Sequence, residues 1–369
     1  MIPARRAVLR LVYNGVDISA DISEDLDSAT WTDNSAKTAD TLNVVLRNTH
    51  GRWIDDWFPS KGAKLSASIE VRDWGAQGNH AVLPCGTFEI DEIEVSGGAT
   101  TKSIATIKAV STPVTSALRG AGRTQAWQDI KLSAIAAEMA NRSGLKLYYE
   151  MPADPQYQYE EQSEETDLNF LQGLCDDAGA SLKVTHDRIV VFDQAEKEKE
   201  AAVITVTPGM VDSWKFKTKS NKVYSSVKVE YHDPETDEDY SVEVAAEPAD
   251  LGGEDRNGRT QIVNQRCKSL AEAETLAKNA LRGANKSEVT GTITSIGDVR
   301  LVAGVNVQIS GFGRFDGKYT VETATHKIGG GYSVTISIRR AMGAEGAKKN
   351  GPEAGWKDYT AYGEELYRE

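Results

Sequence analysis

Two stretches of this chain, 231 positions apart (Gly86 to Gly317), repeat one pattern. The first runs Gly86-Thr87-Phe88-Glu89-Ile90-Asp91-Glu92-Ile93-Glu94-Val95, then Gly97-Gly98, then Ser103-Ile104-Ala105-Thr106-Ile107-Lys108. The second runs Gly317-Lys318-Tyr319-Thr320-Val321-Glu322-Thr323-Ala324-Thr325-His326, then Gly329-Gly330-Gly331, then Ser333-Val334-Thr335-Ile336-Ser337-Ile338. Each has a glycine, an aromatic, a β-branched residue and an acid. A glycine turn and a strand of alternating β-branched and small polar residues follow. An internal duplication near the ends of two halves constrains architecture more than any single residue. The competing reading is a chance likeness between two β-hairpins.

A chain of 369 residues is long enough for two or three domains, each with its own core. A net charge of −13 and a pI near 5.0 argue against nucleic acid as the main ligand, because phosphate binding needs a basic face. They argue equally against an anionic membrane surface. Such a charge suits a passage through which a polyanion slides without sticking. Cys85, Cys175 and Cys267 are far apart and form no C-x-x-C pair, so buried reduced thiols are expected. The N-terminus lacks an apolar segment of signal-peptide length, and no apolar run approaches membrane-spanning length.

To about Pro113 the texture is strand-like, with a hairpin signal at Asn14-Gly15. Thr41–Leu46 and Lys64–Val71 alternate apolar with small polar residues, which predicts antiparallel sheets in a sandwich or barrel. From Thr115 the pattern becomes α+β. Leu132, Ile135, Ala136, Met139 and Ala140 share one helical face, with Gly144 as a stop. A second helix starts at the N-cap Thr166 and ends before Gly179, and a hairpin turns at His186-Asp187. Glu196–Glu200 reads as a solvated linker. From Val203 strands return, including 227–231 and 240–244. One helix interrupts, opened by the capping box Ser269-x-x-Glu272 and stopping near Gly283. After Ala341 comes a tail rich in glycine and charge, carrying Trp356, Tyr359, Tyr362 and Tyr367 and suited to ordering on a partner.

No catalytic motif assembles: there is no G-x-S-x-G, H-E-x-x-H or P-loop. No metal site or cofactor is expected, since the five histidines lack i, i+4 pairing and cysteine neighbours. Glu160-Glu161 with Glu164-Glu165 could supply paired carboxylates for glycoside hydrolysis. A solvated turn before a helix start explains them better. The acidic loops at 233–239 and 255–258 lack the calcium-binding ladder. Gly311–Gly317 has no helix after it to present a dipole to an anion, and so reads as a long turn. Trp53, Trp57, Phe58, Phe312 and Phe315 sit in loops and look exposed, which makes them contact candidates. The aromatics Trp356, Tyr359 and Tyr362 of the tail join that set.

The order and spacing of several stretches resemble the late control protein D family, the central hub proteins of contractile phage tails and phage-tail-like bacteriocins. These stretches are Thr124-Gln125-Ala126-Trp127 with its helix, Tyr157 to Leu171, Gly179–Val184, and the ending Gly317-x-Tyr319-x-Val321 through His326 and Tyr332–Thr335. The resemblance implies a mainly β fold, with two tail-tube-like antiparallel β-barrels flanking a small α+β module. The implied boundaries are 1–114, 115–200, 201–340 (with one helix) and a mobile C-terminal tail, 341–369. It further implies a non-enzymatic homotrimer whose six barrels match a sixfold tail tube on one side and a threefold spike on the other. The implied partners are the tail tube protein, a central spike protein and other baseplate proteins. No membrane and no sequence-specific nucleic acid are implied, though DNA can pass through the lumen. The implied setting is a virion or tail-like particle, assembled in the bacterial cytoplasm. Because the chain stops soon after the second barrel, the spike is expected to be a separate protein. A tail-associated peptidoglycan hydrolase and a distal tail protein of a noncontractile phage are the alternatives.

Overall fold

The computed structural model describes residues 5–98, 100–111, 118, 120–233, 237–246, 258–265, 267 and 269–342, and the chain is mainly β. The first part contains β1 (Arg6–Tyr13), β2 (Val16–Asp17), α1 (Ser19–Ile22), β3 (Leu26–Asn34), β4 (Thr41–Arg47), β5 (Lys64–Arg72), β6 (His80–Gly98) and β7 (Thr101–Val110). The middle contains β8 (Arg123–Lys131), α2 (Leu132–Arg142), β9 (Lys146–Glu150), β10 (Gln156–Glu165), α3 (Asp167–Asp177), β11 (Ala180–Val184), β12 (Arg188–Asp193) and α4 (Gln194–Lys199). The last part begins with β13 (Ala202–Val206), β14 (Val211–Thr218), β15 (Ser226–Asp233), β16 (Glu238–Ala245) and β17 (Thr260–Val263). It ends with α5 (Leu270–Asn285), β18 (Val289–Ile296), β19 (Asn306–Ile309), β20 (Gly317–Ile328) and β21 (Tyr332–Arg340).

The repeated stretches form the hairpins β6–β7 and β20–β21, and the equivalence extends well beyond them. One unit has the strand order β5-β6-β7-β4-β3, and the other has β19-β20-β21-β18-β14. The registers agree residue by residue. Phe88 faces Leu65 as Tyr319 faces Val307, and Val95 faces Ala105 as His326 faces Val334. Trp31 faces Leu42 as Phe216 faces Gly291. Bulges recur at matching sites: Asp91 and Glu322 are the extra residues of β6 and β20, and Asp27 and Asp212 those of β3 and β14. A bulge leaves one residue unpaired and bends its strand, so its position is a specific feature of a sheet. Two such positions shared across five strands rule out a chance likeness of hairpins. Gly62 and Gly304, at φ +77 and +90, donate at 2.8 Å to the carbonyls of Ile90 and Val321, the residues just before the bulges. A side chain there would be strained.

Alternation explains why these segments are strands. In β21, Val334, Ile336 and Ile338 are buried while Ser333, Thr335 and Ser337 are half-exposed, the period-two signature of a sheet with one covered face. The first unit closes around Trp31, Leu42, Phe88 and Ile90, and the second around Val307, Tyr319, Val321 and Ile336. β20 also pairs with β3, so both units share one thirteen-stranded sheet.

The middle module has its own core of Leu132, Ile135, Met139, Leu171 and Cys175. The predicted helical face on α2 is buried, Thr166 caps α3, and β11–β12 form the predicted hairpin. Three features differ from the sequence reading. The strands at 227–231 and 240–244 join β17 in a separate three-stranded sheet rather than the second unit. Helix α5 covers that sheet with Ala273 and Ala277 and ends at Asn285, near the expected stop. Alternation specifies a half-buried strand but not which element covers it. Residues 160–165, expected as a solvated turn, belong to β10, which pairs with β8. Residues 194–199 are helical, capped by Asp193, and Glu198 is only 2% exposed. Glu198 meets the fully buried Arg339 at 2.5 Å and also pairs with Arg282, so one residue of a charged run serves as a buried anchor. Cys85, Cys175 and Cys267 are buried thiols, none of them in a disulfide among the described residues. Among the described residues, no helix is long and apolar enough to cross a membrane.

Candidate assembly interface

The seam between the two units is built by Thr323–Ile328 of β20 lying antiparallel to Ala29–Asn34 of β3. On its core face Trp31 stacks on His326, with ring centroids 5.2 Å apart. On the opposite face, the Thr32 and Thr325 hydroxyls meet at 3.4 Å and Thr323 donates to the Asn34 side-chain oxygen at 3.1 Å. His326 is fully buried, and burial lowers its pKa to about 4. The neutral ring donates from Nε2 to the Leu301 carbonyl (2.9 Å) and accepts the Tyr332 hydroxyl at Nδ1 (2.8 Å).

This arrangement makes the seam acid-sensitive. A histidine with a depressed folded-state pKa contributes stability that is complete above its unfolded value, near 6.5, and is lost as pH falls through about 4. By pH 5 the loss is about 2 kcal/mol. Urea unfolding at pH 7 and pH 5 should show that much less acid sensitivity in His326→Gln than in the parent. Identical slopes for the two would contradict this role.

A second junction joins three parts of the chain. Lys183 on β11 reaches Asp33 at 2.7 Å and Asp40 at 3.1 Å, and all three side chains are buried. Asp33 also accepts the Ala303 amide (2.8 Å), while Asp40 accepts the Asn34 amide (2.8 Å). Burial pushes the Asp40 carboxyl up, and Lys183 pulls it back. The middle module is thereby pinned against β3 beside the seam.

The loop aromatics divide into distinct groups. Trp53 is buried, contrary to its expected exposure, because its indole donates to Asp25 (2.8 Å) and its ring packs into the first core. Arg52 lies over both Trp53 and Trp57 and bonds Asp25 at 2.6 Å, which fixes the loop to its own unit. Trp57 and Phe58 are exposed at the rim of a cavity of about 310 Å³ floored by Leu11, Leu46 and Ile90. Phe312 and Phe315 are half-buried rather than exposed, packed on Phe216, with Trp214 edge-on to Phe312. Trp356, Tyr359 and Tyr362 lie outside the described residues. Sequence reading missed Trp214 and the lysines beside it. The alternation Trp214-Lys215-Phe216-Lys217-Thr218-Lys219 was the available signal, an aromatic row on one face and a cationic row on the other.

The acidic positions do not converge. Glu160 and Glu161 are neighbours on β10 and so point to opposite faces, while Glu164 and Glu165 lie at a register shift. Burial raises the Glu160 carboxyl. Asp187 pairs with Arg188 at 2.8 Å, and His232 pairs with Asp239 at 2.9 Å in an exposed strand end. Among the described residues, no group of three or more His, Cys, Asp and Glu is placed to hold a metal ion.

A duplicated, seam-joined β unit with charged and aromatic strand edges points to assembly through those edges. The comparisons agree: the family model described as Phage tail baseplate hub (GPD) matches residues 89–332, and the chain belongs to that family. The probable baseplate hub protein of Escherichia phage 186 is 28% identical over 230 residues, covering 60% of this chain and 55% of the relative. That of Escherichia phage P2 is 27% identical over 226 residues, with the same coverage. The chain therefore spans about half the length of the curated relatives it matches. Among solved structures, the 43 kDa tail protein of prophage MuSo2 from Shewanella oneidensis has a TM-score of 0.67 at 14% identity, covering 91% of this chain and 99% of that one. The tail protein from Neisseria meningitidis MC58 has a TM-score of 0.68 at 12% identity, covering 90% and 96%. Both share the fold.

Proposed function

We propose that this chain is a structural hub whose three copies form a ring of six tube-like β units. The ring matches a sixfold tail tube on one side and seats a threefold spike on the other. The observation that carries this reading is the register-matched duplication: two equivalent units in one chain, taken three times, supply six near-identical surfaces on a threefold body. Each unit then plays the part of one tube subunit. The chain's role is mechanical, without catalysis, which fits acids that point away from one another on β10. A negative net charge suits a lumen through which a polyanion passes. A reconstruction of the assembled particle tests the reading. Three copies at the tip of the tube are expected; six copies, or one, would contradict it.

A further inference from the structure

The seam inside the chain is half of a repeating contact whose other half is open. β20 offers residues 323–328 to β3, and the equivalent segment of β6 is Glu92–Gly97. Up to Ile90, β6 is paired with β5 and Ala63, and beyond that its outer edge has no strand partner among the described residues. On the other side, β3 accepts β20, and its equivalent β14 is the terminal strand of the sheet. The burial pattern is that of a seam not yet closed. Ala324 and His326 are fully buried, but their equivalents Ile93 and Val95 are only partly so. Trp31 is 1% exposed, while its equivalent Phe216 is half-buried and Trp214, which replaces Ala29, is 53% exposed.

We infer that β14 of one copy docks on the outer half of β6 of a second copy of this chain, in the register of the internal seam. This inference rests on the trimeric reading above and specifies its contact. Transferring the internal register places Glu94 opposite Lys217, Glu92 opposite Lys219, Val95 opposite Phe216 and Gly97 opposite Trp214. The polar pairs Thr325–Thr32 and Thr323–Asn34 of the internal seam become glutamate–lysine pairs between copies. The internal core pair His326–Trp31 becomes Val95–Phe216, and the side chain absent at Gly97 leaves room for the Trp214 indole. The charges are available for this. Lys215, Lys217 and Lys219 form no ion pair among the described residues, while Glu92 and Glu94 share only Lys108, at 2.9 and 3.7 Å. Neither segment contains a proline that would interrupt a ladder. Because the two edges differ, the contact is head-to-tail and builds a ring when its rotation closes.

Lysines also serve as guards that keep edge strands from pairing, and the test separates the two roles. The full chain carrying Glu94→Cys and Lys217→Cys is oxidised and run without reductant; the native cysteines are buried and contribute no background. Covalent dimers and closed trimers are expected, and the face-flipped pair Glu94→Cys with Thr218→Cys should give neither. In parallel, Lys217→Glu with Lys219→Glu should weaken association roughly tenfold or more while leaving the unfolding midpoint of the dilute, unassociated chain unchanged. Adding Glu92→Lys and Glu94→Lys should restore it. If native mass shows trimers but the matched pair stays uncoupled, or both pairs couple equally, this seam is overturned and the hub reading survives. Unchanged association after charge reversal assigns the lysines to edge protection and also overturns the seam. A chain that is monomeric at every concentration and uncoupled after oxidation contradicts both.

Discussion

Lys183→Met is expected to cost about 3–5 kcal/mol of stability, because it leaves the buried carboxylates of Asp33 and Asp40 without their cation. The loss should be greatest near neutral pH. The Asp40 carboxyl is already raised by burial, so in the folded chain it takes up a proton before it does so in the unfolded chain. Stability therefore gains from this group as pH falls toward the ordinary aspartate range, and removing Lys183 steepens that trend. Combining Lys183→Met with Asp33→Asn and Asp40→Asn should recover much of the loss, since a neutral cluster carries no uncompensated charge. Urea unfolding of the parent, the single variant and the triple variant at pH 7 and pH 5 measures all of this. A single variant within about 1 kcal/mol of the parent would mean that Lys183 does not hold this junction together.

Trp31→Ala is expected to cost a similar amount, about 3–5 kcal/mol, as a large buried side chain is lost from the centre of the seam. The damage should not stay local, because Trp31 belongs to the first unit and packs on His326 of the second. Hydrogen exchange should rise in both β3 and the second half of β20. The contrasting substitution is Phe216→Ala, at the equivalent position of the other unit. Phe216 packs with Trp214, Phe312, Phe315 and Tyr319 but is only half-buried, so its loss should cost distinctly less in the isolated chain. Equal costs at the two positions would mean that the seam does not distinguish a closed side from an open one.

The duplication was legible in the sequence because β-hairpins carry their period in side chains. Phe88 and Tyr319, or Ile90 and Val321, sit at the same distance from Gly86 and Gly317 and reach the same depth. The bulge acids Asp91 and Glu322 were visible as part of that pattern, but their lack of a strand partner was not. The match of β3 with β14 escaped notice because only Asp27-Ser28 and Asp212-Ser213 persist between them. The helices at 132–142 and 167–177 were legible from amphipathic spacing and a cap. Pairings between distant strands, such as β20 with β3, leave no local signal, since register is set by what each face must bury. The same limit hid the edges. Lys215, Lys217 and Lys219 look like ordinary surface charge until β14 is seen to end the sheet. Trp53 and Glu198 were misplaced for a related reason: residue type predicts exposure on average, whereas Asp25 and Arg339 decide it here.

The central claim is that one duplicated chain makes a sixfold surface on a threefold body. A reconstruction of the assembled particle, computed with threefold symmetry only, tests it most directly. Three copies are expected, with six β units that superpose on one another and unit-to-unit junctions that all follow the register of Ala29–Asn34 with Thr323–Ile328. A ring in which the two units of each chain occupy inequivalent places, with only one of them against the tube, would contradict it.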